Sequence, residues 1–324
     1  MKSRKQRAAI GLDIGGTKIA GGVVLWPSGK IVHQKVIPTL PTRGGKAVLK
    51  DTLALAQQLK TWATFKGIAI DGLGAGVPEL VDCDGNVTSD QTIKWRSTPV
   101  QRELSKIAPA RVESDVRAAA IAEALFGAGK RHRIFIYVTV GTGISYCLVQ
   151  DGHPFRGAKG NAIIFASMPL STTCDHCGTD LRPVLEEFAS GPAIAARYAQ
   201  LRQSAMRKNS KSTACTAKDV FQSARRGDRV AIHVLTSAGK ALGVNVAFLV
   251  NILDPQLIVV GGGLGLAGGV YWRAFRKACR EHIYADNTRA LPIVPAKLNI
   301  CAGIVGAAAI VFLQSKELSR VLHS

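Results

Sequence analysis

The stretch Ala8-Ala9-Ile10-Gly11-Leu12-Asp13-Ile14-Gly15-Gly16-Thr17-Lys18 decides the fold. Residues 8–12 read as an apolar strand that runs straight into a glycine-rich turn, and residues 19–25 return as a second strand. Backbone N–H groups exposed at such a turn bind phosphate oxygens, and Lys18 adds positive charge. The same stretch also suits a plain β-hairpin whose glycines only allow tight geometry. It is not a Walker A loop, because the spacing differs and no helix follows.

Moving outward, the same device recurs. Residues 134–140 are β-branched and aromatic, Gly141-Thr142-Gly143 is a turn, and residues 145–149 return. Between the two devices, residues 46–66 have helical periodicity through Leu49, Leu53, Ala56 and Leu59, and residues 68–77 form a glycine-broken strand ending at Pro78. Val112 leads into Ser114-Asp115, either of which is a natural cap for an alanine-rich helix over 118–126. Further on, Thr216 with Asp219 three residues later reads as a capping box. Residues 230–253 read as a long helix, and 256–260 as a buried strand entering Gly261-Gly262-Gly263. A small-residue helix over 303–312 closes the chain. Strands alternating with helices predict an α/β architecture.

Composition bounds the function. At 324 residues and 47% hydrophobic content, the chain suits two lobes with real cores and excludes general disorder. No continuous apolar run reaches the roughly 18 residues of a bilayer span, and residues 241–253 read as a buried helix. The seven cysteines are odd in number and scattered, which predicts a reduced, cytoplasmic protein without a signal peptide or membrane contact. The formal charge of +20 is diffuse: 19 of the 42 basic residues fall in the first 130 positions. The densest basic region, 197–229, has no interleaved aromatic platform, so it reads as solvated surface and not as a nucleic-acid site.

Four features join the first turn in a fixed order. Asp115 opens a helix after a strand; Gly141–Gly143 carries Thr139 and Thr142; Asn251-Ile252-Leu253-Asp254-Pro255 precedes a buried strand; and that strand ends in three glycines, which let a base and ribose approach the backbone. From Asp13 to Ala309 this series resembles the ROK family (repressors, open reading frames and sugar kinases) of the actin-like ATPase superfamily. The resemblance implies an α/β, two-lobed actin-like ATPase (duplicated ribonuclease H-like) fold with a cleft. It puts a small lobe at 1–114, completed by a C-terminal helix over 309–324, and a large lobe at 115–308. It implies ATP and Mg2+, a small polyol acceptor, a homodimer, and phosphorylation of a hydroxyl with Asp115 as general base. The nucleotide positions are Asp13, Gly15, Gly16, Thr17, Lys18, Thr139, Gly141, Thr142, Gly143, Gly261, Gly262 and Gly263, with Asp13 holding the metal through water. The acceptor positions are Glu79, Thr92, Ser114, Asp115, Asn161, Ile164, Ser167 and Glu186.

Departures from the family pattern gather at the acceptor. Ser114, Thr92 and Glu79 replace an Asn, an Asn and a Gly; Ile164 and Ser167 replace a Glu and a His; Glu186 is kept. Four polar partners of a hydroxyl-rich ring have changed together, to Thr92, Ser114, Ile164 and Ser167. This predicts an amino sugar, deoxy sugar or cyclitol over plain glucose, with Glu79 and Glu186 suited to an amino group. The family's zinc ligands shrink to Cys174 and Cys177 with adjacent His176, short of four, so structural zinc is not expected. Alternatives are a glucokinase-type hexose kinase, a catalytically weak sugar sensor, a polyphosphate-using variant favoured by the charge, and a repressor. The last needs a DNA-binding domain ahead of Asp13, where twelve residues stand.

Overall fold

The computed structural model describes residues 7–167, 184–205 and 215–313, and the backbone of 172–173 and 180–181. The elements in order are β1 (Arg7–Ile14), β2 (Lys18–Leu25), β3 (Ile31–Pro38), α1 (Gly45–Phe65), β4 (Ala69–Val77), α2 (Val100–Ser105), β5 (Ala110–Ser114), α3 (Asp115–Phe126), β6 (Ile134–Val140), β7 (Ile144–Gln150) and β8 (His153–Pro154). There follow β9 (Thr172–Thr173), β10 (Asp180–Leu181), α4 (Leu185–Ala189), α5 (Gly191–Ala205), α6 (Ala217–Arg225), α7 (Arg229–Leu253), β11 (Leu257–Gly261), α8 (Gly262–Gly265), α9 (Gly269–His282), α10 (Asp286–Arg289), β12 (Ile293–Pro295) and α11 (Ala302–Ile310). Two five-stranded sheets carry the fold, ordered β3-β2-β1-β4-β5 and β12-β11-β6-β7-β8. This is the mixed α/β, two-lobed architecture anticipated above.

The chain divides into two compact units: 1–135 with 147–163 and 296–324, and 136–146 with 164–295. The sequence boundary at 114/115 falls inside the first unit, at the β5–α3 junction. α3 belongs there because it packs on α11, where Gly306 lies directly against the Ala118 carbonyl.

In the first unit, β1 pairs antiparallel with β2 and parallel with β4, and β4 pairs parallel with β5. Register places Asp13 opposite Gly76, and Val77 opposite Ser114. The carboxyl ends of three parallel strands therefore deliver Asp13, Glu79 and Asp115 to one edge, where open α/β sheets present ligand groups. One face of the sheet is sealed by α1, whose Val48, Leu55, Ala56 and Leu59 pack on Ile10, Leu12 and Val23; the other meets α11 through Ile304 and Ala308.

In the second unit, α7 follows the long helix read over 230–253 to within one residue. Its 25 residues, with a mean hydropathy of 1.3 over an 18-residue window, are long and apolar enough by composition to cross a membrane, and half of that window is buried. That apolarity is used in packing: the backbones of Gly239 and Gly243 lie against Tyr271 and Phe275 of α9, a helix that periodicity did not single out.

Candidate functional site

In the first unit, a β-turn closes the Asp13–Lys18 stretch: the Gly15 N–H donates to the Lys18 carbonyl at 2.9 Å, and buried Thr39 donates from Oγ1 to the Gly15 carbonyl at 2.6 Å. Thr17 and Lys18 are exposed, Gly15 and Gly16 half-buried. A Cβ at Gly16 would lie 2.7 Å from Thr92 Cγ2, so the turn and the 89–93 segment are neighbours. Gly303, at the start of α11, lies so close to Asp13 that a Cβ would collide with its carboxylate.

Asp13 and Asp115 form the electrostatic centre. Burial pushes the Asp13 carboxyl up to about 6, partly offset by Lys18. Burial pushes Asp115 up to about 7, the Asp13 and Glu79 charges push the same way, and the hydrogen bond from the Val116 N–H to Oδ1 at 2.6 Å opposes them. A carboxylate such as Asp13 is the kind of oxygen ligand that a hard dication takes. Ser114 occupies the N-cap position of α3, but its hydroxyl makes no cap bond and is buried without a partner. Asp115 instead accepts the first-turn N–H.

Glu79, suited to an amino group of the acceptor if it faces the cleft, is 3% exposed and engaged with its own segment. Oε1 accepts from the Thr92 and Ile93 N–H groups at 2.6 and 2.8 Å; Oε2 accepts from the Gln91 N–H at 2.9 Å and from the Ser89 hydroxyl. A carboxylate with four donors organises its own loop and has nothing left for an amino group. It shapes the segment that carries Thr92, which is exposed. Asn161, in the same unit, is exposed too.

The second unit gathers Thr139, Gly141, Thr142, Gly143, Ile164, Ser167, Glu186 and Gly261–Gly263. The Gly141 N–H donates to the Gly143 carbonyl at 2.9 Å, and the Gly191 N–H to the Gly141 carbonyl at 2.8 Å. Glu186 ties itself to this turn, its Oε2 accepting from the Ile144 N–H at 2.7 Å. Gly262 adopts φ +78 beside the Val140 carbonyl, where a side chain has no room; nothing lies within 4 Å of a Cβ at exposed Gly263. Ile164 is 51% exposed and Ser167 is exposed.

Within this unit lies a cavity of ≈ 700 Å³, in the range of small-molecule sites. Of the residues singled out from sequence, Gly141, Thr142 and Gly263 line it. Its other wall is α6 and the start of α5: Gly191, Lys218, Phe221, Gln222 and Arg225. Sequence reasoning found only the cap of that wall, the reciprocal Thr216–Asp219 box, which the structure contains. The spacing of Lys218, Phe221, Gln222 and Arg225 on one helical face was the available signal. Cys174, His176 and Cys177 lie outside the described residues.

The chain is similar to known proteins along nearly its whole length. The family model for the ROK family matches residues 9–313. A glucokinase of Streptomyces coelicolor is 31% identical over 92% of this chain and 96% of its own length. The crystal structure of a ROK family glucokinase from Streptomyces griseus, in complex with glucose and AMPPNP, superposes with a TM-score of 0.79 at 29% identity, covering 94% of this chain and 98% of that one. A ROK hexokinase from Thermus thermophilus gives 0.77 at 29% identity, over 96% and 99%. With its strand–turn–strand device used twice and a family match running from β1 to beyond α11, this chain belongs to the ROK family.

Proposed function

We propose that this protein is an ATP-dependent kinase that transfers the γ-phosphoryl group to a hydroxyl of a sugar-like acceptor, with Asp115 taking the hydroxyl proton. The observation that carries the reading is Asp115 itself: a carboxylate at the start of α3, beside Asp13, pushed up to about 7. A general base works best near the operating pH, and phosphoryl transfer asks the protein mainly for positioning and charge stabilisation. The 141–143 and 261–263 glycines, with the α6 wall, form the nucleotide side. The turn at Gly15–Lys18, where Thr17 and Lys18 are exposed, offers backbone N–H groups beyond the one that Gly15 commits to Lys18, and a cation, to phosphate oxygens. Mg2+, held by Asp13 through water, would neutralise charge on the phosphates.

For the acceptor, a deoxy sugar or cyclitol suits the altered positions better than plain glucose. Ile164 presents an apolar surface, and the Ser114 hydroxyl is buried away from solvent. With Glu79 committed to its loop, the support for an amino sugar is weaker than the sequence suggested. The second reading is glucose, favoured by the activity named for the relatives above. Catalytic efficiency with ATP should be compared on glucose, glucosamine, kanosamine, N-acetylmannosamine and a valiolone-type cyclitol. Glucose as the best of that panel would overturn the acceptor proposal and leave the kinase standing; no turnover on any of them, or on a wider set of hexoses, would count against the kinase.

A homodimer is the proposed assembly, formed on the α7 stripe Val244, Phe248 and Ile252, which is 40%, 64% and 61% exposed. A mass near 34.4 kDa by light scattering excludes it. The described cysteines, Cys83, Cys147, Cys215, Cys279 and Cys301, are all free.

A further inference from the structure

Arg117 lies two residues beyond Asp115 and is fully buried. A buried guanidinium must find partners for its donors, because an unpaired charge in the interior is costly. Arg117 finds them on three separate segments. Nε donates to Glu113 Oε1 at 2.5 Å, on the strand leading to Asp115. Nη2 donates to the Val81 carbonyl at 2.7 Å, just past Glu79. Nη1 donates to the Gly160 carbonyl at 2.6 Å, beside Asn161. The second oxygen of Glu113 pairs with Arg156 Nη2 at 2.7 Å, and Arg156 Nη1 reaches the Cys83 carbonyl at 3.4 Å.

The two outer segments also touch each other. Gly160 adopts φ +80, and a Cβ there would collide with the Val81 carbonyl and come within 2.7 Å of Asp82 Cα. The 79–93 segment, gathered at one end by Glu79, and the 156–163 segment are thus pressed together and pinned to the β5–α3 junction by one planar group. Arginine is required for this: its rigid fork serves three acceptors in different directions, which a lysine ammonium on a flexible stem does not reproduce.

We propose that Arg117 is a positioning residue for the acceptor. It fixes the two loops that carry Thr92 and Asn161 relative to Asp115, so that the acceptor hydroxyl meets the carboxylate, and it takes no part in handling ATP. The proposal rests on the kinase reading above. It concerns a residue that never touches substrate and acts through the loops it holds.

The test is steady-state kinetics of the full-length Arg117→Lys variant, with the best acceptor of the panel. The charge beside Glu113 stays and the two carbonyl bonds are lost. The acceptor KM should rise about tenfold or more while the ATP KM stays within about twofold, a split that a general loss of stability does not produce. Arg156→Gln provides a second, milder variant, because Arg156 is 35% exposed and removes only the outer partner of Glu113. It should move the acceptor KM in the same direction by less. Thermal melting and binding of a non-hydrolysable ATP analogue report the fold of each variant. An unchanged acceptor KM in folded Arg117→Lys, or equal rises in both KM values, overturns the proposal. Failure of both variants to fold makes Arg117 a core residue alone and overturns it as well. Wild-type protein without kinase activity overturns the underlying kinase reading instead.

Discussion

In the first unit the candidate groups centre on carboxylates at the ends of parallel strands, whereas in the second they centre on glycine turns that expose backbone amides. The first kind of site concentrates charge: Asp13, Glu79 and Asp115 share one sheet edge, and burial holds two of them well above the ordinary carboxylate range. The second kind brings cations in place of buried carboxylates: its cavity is walled by Gly141, Gly191, Gly263 and one face of α6 that carries Lys218 and Arg225. The difference teaches what each can do. Carboxylates can move protons and hold cations; a wall of glycines and cations admits and orients an anionic ligand.

The largest expected effect follows from that division. Asp115→Asn keeps the shape and the acceptor for the Val116 N–H but cannot take a proton. Turnover should fall by about two decades or more with ATP binding retained. In the wild-type protein, kcat/KM should fall as pH drops below about 7, because Asp115 must be ionised to act. Stability runs the other way. The folded pKa is raised above the unfolded value of 3.8, so the native state loses stability as pH rises from about 4 through about 7. The variant should therefore be more stable than wild type at pH 8, by something on the order of 2–4 kcal/mol before solvent screening, and no more stable at pH 4. Near wild-type turnover, or a stability difference independent of pH, would break the distinction between the two regions.

The second effect belongs to the backbone-built wall. Gly262 and Gly263 look equivalent in sequence, but a side chain at Gly262 strains a left-handed backbone and strikes the Val140 carbonyl, so its loss would confuse folding with binding. Gly263 has open space. Gly263→Val should leave melting nearly unchanged and raise the ATP KM about tenfold or more by filling the cavity, with the acceptor KM little altered. An ATP KM equal to wild type would move the nucleotide out of this cavity.

The two regions also differed in how much could be read from the chain. The strand–turn–strand devices, the glycines and the Thr216 cap are local, and local steric demands write themselves into sequence at fixed spacing. What stayed hidden was set by tertiary partners. Nothing in Glu79 announces that four donors ten to fourteen residues away will use up its carboxylate. Arg117 likewise reads as one charge in an alanine-rich helix until Val81 and Gly160 arrive from elsewhere in the chain. The α6 wall was hidden for the same reason, since its amphipathic face fits a core as well as a cavity.

Glu79 sharpens the comparison at the smaller end of the scale, because it sits in the charged region yet behaves as scaffold. All four of its bonds come from donors, three of them backbone N–H groups. Glu79→Gln preserves the volume but turns one acceptor oxygen into an NH2 that faces donors, leaving buried N–H groups unpaired. Each such loss costs about 1–3 kcal/mol, so the variant should melt several degrees lower. Loosening of the 89–93 segment should raise the acceptor KM by about three- to tenfold, since Thr92 is carried there, with turnover at saturation reduced less. It should also remove one of the charges that push Asp115 up, moving the acid limb of the pH profile slightly lower. If Glu79 were instead a ligand for the acceptor, the same substitution would leave melting unchanged and selectively abolish turnover of amino-substituted sugars. Melting, acceptor KM and the pH profile, measured on one variant, separate the scaffold from the ligand.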